Sequence, residues 1–266
     1  MHLIGYIASV FIGISLGLIG GGGSILTVPV LVYLFGIDAV VAISYSLFIV
    51  GLTSVAGSLT YFKNGLINIR TVFLFGLPSI VAVFLTRSFI VPAIPKDLFH
   101  IGNYYLTKDI LLLILFAGLM LFASYRMIKN RPQNIKNQAP NPGKMPITSI
   151  ELQGLAVGSI TGLVGAGGGF LIIPALVTML DLPMKTAVGT SLVIISINSL
   201  IGFLLSLPHL TVHWIFLLKI SAIAILGIVI GSYLSTQIDG KKLKSGFGWF
   251  ILLMGSFIIL KETILK

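Results

Sequence analysis

Apolar runs of about 20 residues recur along this sequence and leave few folds open to it. The clearest runs cover residues 40–62, 71–91, 186–207 and 214–236. A helix of that length, rising about 1.5 Å per residue, matches the hydrocarbon core of a bilayer. The runs are continuous, whereas the strands of a membrane barrel alternate apolar and polar residues. Only 9% of the residues are charged, too few to cover a soluble surface. We therefore predict an all-α integral membrane protein.

Two further apolar runs are interrupted by blocks of glycine. The blocks cover residues 20–23 and 165–169, and a proline follows each of them, at Pro29 and Pro174. Both the blocks and the prolines are 145 residues apart, and the same spacing relates many residues of the following spans. A helix break inside lipid is costly unless the freed backbone groups find partners. Two breaks at equivalent positions therefore indicate two homologous repeats in which the break has the same role.

The predicted repeats each contain a glycine-interrupted helix pair and three spanning helices. The first transmembrane repeat covers residues 1–128 and the second residues 148–266. Between them, residues 129–147 form a polar linker rich in Lys, Arg, Asn, Gln and Pro. If each interrupted pair forms a hairpin or crosses twice, the repeats are inverted; if it crosses once, they are parallel.

The distribution of Lys and Arg favours the inverted arrangement. It would bring eleven of the seventeen basic residues to one side of the membrane, whereas the parallel arrangement divides them about ten to seven. Because short cytoplasmic loops accumulate Lys and Arg, we expect the linker in the cytoplasm and both termini outside. The net charge of +10 is then explained by loops that meet anionic lipid, and no nucleic-acid partner is predicted.

The two breaks are the predicted substrate site. Glycines at a break expose backbone N–H groups, and the helix that starts there directs the positive end of its dipole at them, a combination that binds anions. Hydroxyl and amide side chains from the next span would complete the site. The candidate substrate-binding residues are Gly20, Gly21, Gly22, Gly23, Ser24, Ser46, Gly165, Gly167, Gly168, Gly169, Thr190, Ser191 and Asn198.

These types of residue also have a simpler interpretation. A glycine can simply allow the close packing of helices, as we expect for the isolated Gly13 and Gly118. A hydroxyl can bond to a carbonyl of its own helix. Two basic residues, Arg87 and Lys219, lie inside apolar runs but near their ends, where the side chains can reach water by snorkelling.

The glycine pattern resembles that of the sulfite exporter TauE/SafE family. Residues 17–31 and 162–176 both read Gly-x-x-Gly-x-Gly-Gly followed by Pro-x-Leu, and the resemblance extends over nearly the whole chain. It implies a multi-pass transporter of the prokaryotic inner membrane that exports sulfite, an organosulfonate or a related oxyanion. An anion channel, or a transporter of another small carboxylate or oxyanion, remains open.

Residues that are absent limit the mechanism. No Asp or Glu lies in the middle of a predicted span and the chain has no cysteine, so a carboxylate proton relay, a metal site and a cofactor are not predicted. No arrangement of catalytic side chains indicates an enzyme. We expect export driven by the membrane potential alone. The oligomeric state is not predicted.

Overall fold

The structure, a computed structural model, describes residues 2–95, 97–101, 104–129, 147–164, 169–178 and 180–263. Apart from one β-hairpin, the described elements are helical. The helices are α1 (His2–Ile19), α2 (Gly22–Tyr33), α3 (Ala39–Lys63), α4 (Ile69–Leu85), α5 (Val91–Ala93), α6 (Lys108–Lys129), α7 (Ile147–Val164), α8 (Gly169–Thr178), α9 (Met184–Ser206), α10 (Trp214–Gln237) and α11 (Gly240–Thr263). A π-helical turn, Thr86–Ile90, joins α4 to α5, and a 3₁₀ turn, Leu207–His209, follows α9.

Four of the described helical segments are long and apolar enough to cross a membrane. They cover residues 39–63, 69–93, 184–206 and 214–235. Their outer faces carry large apolar side chains, such as Ile215 and Leu226, which are 73% and 68% exposed. Exposure on this scale is unfavourable in water but not against lipid tails. The prediction of a helical integral membrane protein is confirmed.

The first glycine block interrupts the helix as predicted. Helix α1 ends at Ile19 and α2 begins at Gly22. Between them Gly20 has a φ of +74°, a backbone conformation that glycine adopts without steric cost. At the second block α7 ends at Val164 and α8 begins at Gly169. The intervening residues 165–168 lie outside the described part of the chain.

The helices pack in pairs that join the two halves of the chain. Helix α1 lies against α10, α4 against α7, α3 against α9 and α6 against α11. The pair α3 and α9 runs antiparallel, because Gly51 faces Leu200 whereas Leu47, earlier in α3, faces the later residue Gly202. Much of the core therefore lies between the two halves of the chain.

The pairs α1/α10 and α4/α7 run parallel and pack through glycine. Gly13 of α1 faces the backbone of Ala224, and Gly17 faces that of Ser232. In the same way Gly154 of α7 faces Phe75 and Gly162 faces Thr86 of the π-turn. Small residues at such spacing allow two backbones to approach closely, which drives helix association in lipid. The packing interpretation of Gly13 is thus confirmed, whereas Gly118 has no heavy atom of another residue within 4 Å of its Cβ position.

The short helices α2 and α8 end in matching turns. Gly36 has a φ of +68° and Asp181, at the equivalent position, a φ of +51°. In each turn the following N–H donates to a carbonyl oxygen six residues earlier, over 3.1 Å. Glycine adopts positive φ freely, whereas a residue with a Cβ atom does so at a cost. Asp181 therefore carries backbone strain that Gly36 avoids.

Replacing Asp181 with glycine should stabilise the protein. Removing the strain should raise the free energy of unfolding by about 0.5–1 kcal/mol, since part of the gain is offset by glycine's backbone entropy. The measurement is the apparent melting temperature in detergent. The reverse exchange at the equivalent turn, Gly36→Asp, should lower it by a similar amount. A lower melting temperature for Asp181→Gly would show that interactions of the Asp181 carboxylate stabilise the protein by more than the backbone strain destabilises it.

One described element is not helical. The segment between α5 and α6 contains a two-stranded antiparallel hairpin, β1 (Asp97–Ile101) with β2 (Tyr104–Thr107). The hairpin lies outside the apolar spans. There the backbone N–H and C=O groups of the segment are paired between the two strands and not within a helix.

Candidate functional site

The N-terminus of α2 forms one side of the candidate site. Its N-cap is Gly21, which has no side chain to accept a hydrogen bond from the first N–H groups of the helix. The hydroxyl of Ser24 instead donates to the carbonyl of Gly21 over 2.6 Å. The first N–H groups of an α-helix have no partner within the helix, and the positive end of its dipole lies there. Gly22 and Gly23, the first residues of α2, thus provide a backbone cradle suited to an anion.

The beginning of α8 lies against the first break. A Cβ atom added to Gly169, the first residue of α8, would lie 2.7 Å from the Cα of Gly21 and 2.6 Å from Cδ1 of Ile195. Glycine is required for so close an approach. The N-termini of α2 and α8 therefore lie beside each other, although the residues are far apart in sequence.

Helix α9 forms a wall of this site. A Cβ atom at Gly20 would lie 2.8 Å from Cγ1 of Val188 and 3.0 Å from the hydroxyl oxygen of Ser191. Ser191 is fully buried, and its hydroxyl donates to the carbonyl of Val188 over 2.8 Å. Since the donor is used within the helix, the oxygen of Ser191 can only accept a further bond. The structure brings Ser191 to the break, as the sequence predicts.

The hydroxyl of Thr190 bonds to a loop of the other half of the chain. It accepts a hydrogen bond of 2.9 Å from the N–H of Asn68, in the loop between α3 and α4. Neighbouring residues on a helix point about 100° apart, so the side chains of Thr190 and Ser191 point in different directions. Thr190 thus holds the loop before α4, and its binding of substrate stays a prediction.

Asn198 is deeply buried and only partly satisfied. Its side-chain nitrogen donates to the hydroxyl of Ser79 in α4 over 2.7 Å, while Oδ1 has no hydrogen-bond partner in the part of the chain that the structure describes. The residue thus links α9 to α4. Of the remaining candidates, Ser46 of α3 is fully buried. Gly165, Gly167 and Gly168 lie outside the described residues.

Arg87 does not reach water. The side chain is only 7% exposed and lies on the π-turn that follows α4. Its Nη1 donates to the hydroxyl of Ser206 over 3.2 Å, whereas Nε and Nη2 have no hydrogen-bond partner among the described residues. The snorkelling expectation for this residue is therefore wrong, because the turn packs against α7 and α9 and is enclosed by them.

A cleft of about 870 Å³ lies beside the beginning of α3 and α10. Tyr45 forms part of its wall and fixes the loop before α10, accepting a bond of 2.9 Å from the N–H of His213 and donating one of 3.1 Å to the carbonyl of Thr211. This arrangement is the counterpart of the bond between Thr190 and Asn68 in the other half. Lys219 also lines the cleft and is exposed, as expected for a snorkelling residue.

A helical multi-pass chain in which two interrupted helices meet has the architecture of a membrane transporter. Residues 6–258 match the sequence model of the family described as Sulfite exporter TauE/SafE, and the chain belongs to that family.

Similar chains occur in bacteria and archaea. A probable membrane transporter protein of Xylella fastidiosa is 30% identical over 93% of this chain and 91% of its own length. The probable membrane transporter protein YunE of Bacillus subtilis is 26% identical over 91% of both chains, and one from Methanocaldococcus jannaschii is 28% identical over 97% and 94%. No solved structure matches the chain. The protein is thus a multi-pass membrane transporter.

Proposed function

We propose that this protein is a secondary transporter that exports a small sulfur-containing oxyanion, such as sulfite or an organosulfonate, across the prokaryotic inner membrane. The observation that carries the proposal is the contact between Gly21 and Gly169. It brings two helix N-termini together at a point where neither helix has an acidic residue in its first turn. Paired half-helix N-termini hold anionic substrate groups in other secondary transporters.

Inverted repeats account for the helix pairs. Helices α3 and α9 occupy equivalent positions in the two repeats and run antiparallel, as a two-fold axis in the membrane plane requires. The pairs α1/α10 and α7/α4 are likewise exchanged by that axis, and both are parallel. In this arrangement each interrupted pair enters from its own side of the membrane. Exchanging the conformations of the two repeats would then open the site alternately to either side.

The membrane potential supplies the driving force in this proposal. An inside-negative potential favours outward movement of a negative charge by about 2.3 kcal/mol per 100 mV. No Asp or Glu lies in the middle of a predicted span to carry a coupled proton. Transport is therefore proposed to be uniport-like, with the polar linker at residues 129–147 in the cytoplasm.

Counterflow in proteoliposomes tests the proposed function. Protein reconstituted with internal sulfite should take up labelled sulfite or a sulfonate, and the rate should saturate with concentration. A Gly22→Leu/Gly167→Leu variant is the negative control. Because the natural chain lacks cysteine, a single Gln138→Cys exchange reports orientation in intact cells, where an impermeant maleimide should not label it. Uptake that requires a pH gradient at zero potential would contradict the uniport.

The same assay separates two other functions. The helix N-termini at the break could line an anion pore, in which case single-channel currents and unsaturated flux would replace counterflow. A transporter of another class of substrate would exchange acetate or a dicarboxylate in preference to sulfite and sulfonates.

A further inference from the structure

Arg87 carries a complete, unused binding edge. Nε and Nη2 project from the same side of a guanidinium group and form the edge that holds two oxygens of one oxyanion. These are the two nitrogens without a partner, while the outer Nη1 is held by Ser206. The side chain is 7% exposed, and Arg remains charged in proteins. A buried cation with a free fork is costly unless an anion completes it.

The position of Arg87 relates it to the second break. The neighbouring Thr86 meets Gly162, with 2.7 Å between its Cβ and a Cβ atom added to the glycine. Gly162 lies in the last turn of α7, the helix that ends at Val164 where the second glycine block begins. The π-turn itself is a second indication, since such turns within helices occur frequently at functional sites.

The other half of the chain has no charge at the equivalent place. The position that corresponds to Arg87 is occupied by Ser232, which is fully buried. Beside it, the hydroxyl of Tyr61 bonds to the carbonyl of Gly17 over 2.9 Å and to the hydroxyl of Ser235 over 2.7 Å. The hydroxyl of Ser232 has no partner among the described residues, as is true of Nε and Nη2 of Arg87. The two places therefore differ in charge: one leaves a neutral hydroxyl unpaired, and the other leaves a cation unpaired.

From this asymmetry we infer that Arg87 is an anion-binding residue that holds the transported oxyanion through two of its oxygens, beside the last turn of α7. The inference rests on the proposed function and sharpens it in two ways. The substrate has at least two oxygens arranged to fit the guanidinium fork, as sulfite, sulfonates and carboxylates do and halides do not. The anion also takes different partners on the two sides of the membrane.

The test combines transport with stability. Arg87→Gln should raise the KM for sulfite counterflow by at least about tenfold, the loss of a charge-assisted hydrogen bond. Arg87→Lys keeps the charge but not the two parallel N–H donors of the guanidinium, so its KM should lie between those of the natural protein and Arg87→Gln. In detergent without anion, Arg87→Gln should melt at a higher temperature than the natural protein, because an unpaired buried charge has been removed. Sulfite or methanesulfonate should raise the melting temperature of the natural protein but not of Arg87→Gln.

Arg70→Gln is the matched control, since it removes an exposed cation from the same helix. Its KM should stay within about twofold of the natural value. Arg87 would be structural if Arg87→Gln kept the natural KM and the anion-dependent rise in melting temperature, or if it only lost stability. In either case the inference fails while the transporter proposal stands. If the natural protein moves no anion of the panel, the proposed function fails and the inference with it.

Discussion

Replacing Gly20 with valine should abolish anion transport while the protein remains folded in the membrane. Two costs act together at this position. The φ of +74° is unfavourable for a β-branched residue. In addition, a Cβ atom would lie 2.8 Å from Val188 and 3.0 Å from the hydroxyl oxygen of Ser191. Relieving either contact would move the break away from α9 and disturb the N-terminus of α2, where the anion is proposed to bind.

The expected result is a fall in the initial rate of sulfite counterflow by at least about 100-fold, which corresponds to a rise of about 3 kcal/mol in the activation free energy of transport. Monodisperse elution in detergent would show that the variant is folded. Gly65→Val is the matched control: Gly65 has a similar φ of +65°, but no heavy atom of another residue lies within 4 Å of its Cβ position. It should carry the backbone strain and keep transport. Equal rates for Gly20→Val and Gly65→Val would contradict the role of the break.

Replacing Gly13 with leucine should prevent the protein from folding. A Cβ atom at Gly13 would overlap the carbonyl of Ala224 and lie 2.8 Å from the backbone nitrogen of Ile228. Backbone atoms of a packed helix cannot rotate aside, so α1 and α10 would have to separate along their length. Overpacking alone costs about 1–3 kcal/mol, and the separated pair also loses the close contacts that hold helices together in lipid.

The measurement is the yield of monodisperse protein after extraction. Gly118→Leu in α6 is the control, because its Cβ position is open and leucine is the better helix former by about 0.8 kcal/mol. Gly158→Leu in α7 should fail in the same way as Gly13→Leu, since a Cβ atom there would meet the backbone of Ser79. Normal yield of both variants would mean that the helix pairs are not held by glycine packing.

The candidate site was predictable from the sequence only in part. The breaks follow from chemistry that is local to the chain, since a block of glycines in an apolar run weakens the helix wherever it occurs. The residues of α9 that accompany them depend on how that helix is rotated. Sequence alone could not distinguish Ser191, which lies at the break, from Thr190, which binds the loop at Asn68.

Arg87 illustrates the same limit for charge. In the sequence it lies towards the end of an apolar run, where long basic side chains commonly reach water. Its burial results from a π-turn and from the packing of that turn against α7 and α9. Both depend on neighbours that are distant in sequence. A buried Arg with no nearby acidic partner in the sequence could have indicated an anion, had its burial been known.

The sequence by itself therefore determined that this chain is a helical membrane protein with two matched breaks, because span length, charge content and glycine blocks act through each segment's own contact with lipid. Only the tertiary structure decided that Gly21 meets Gly169, that α3 and α9 run antiparallel, and that Arg87 is enclosed with a free edge. These features arise from helix packing between the two halves of the chain. In lipid, such packing depends on shape and close contact between surfaces, which no single segment specifies alone.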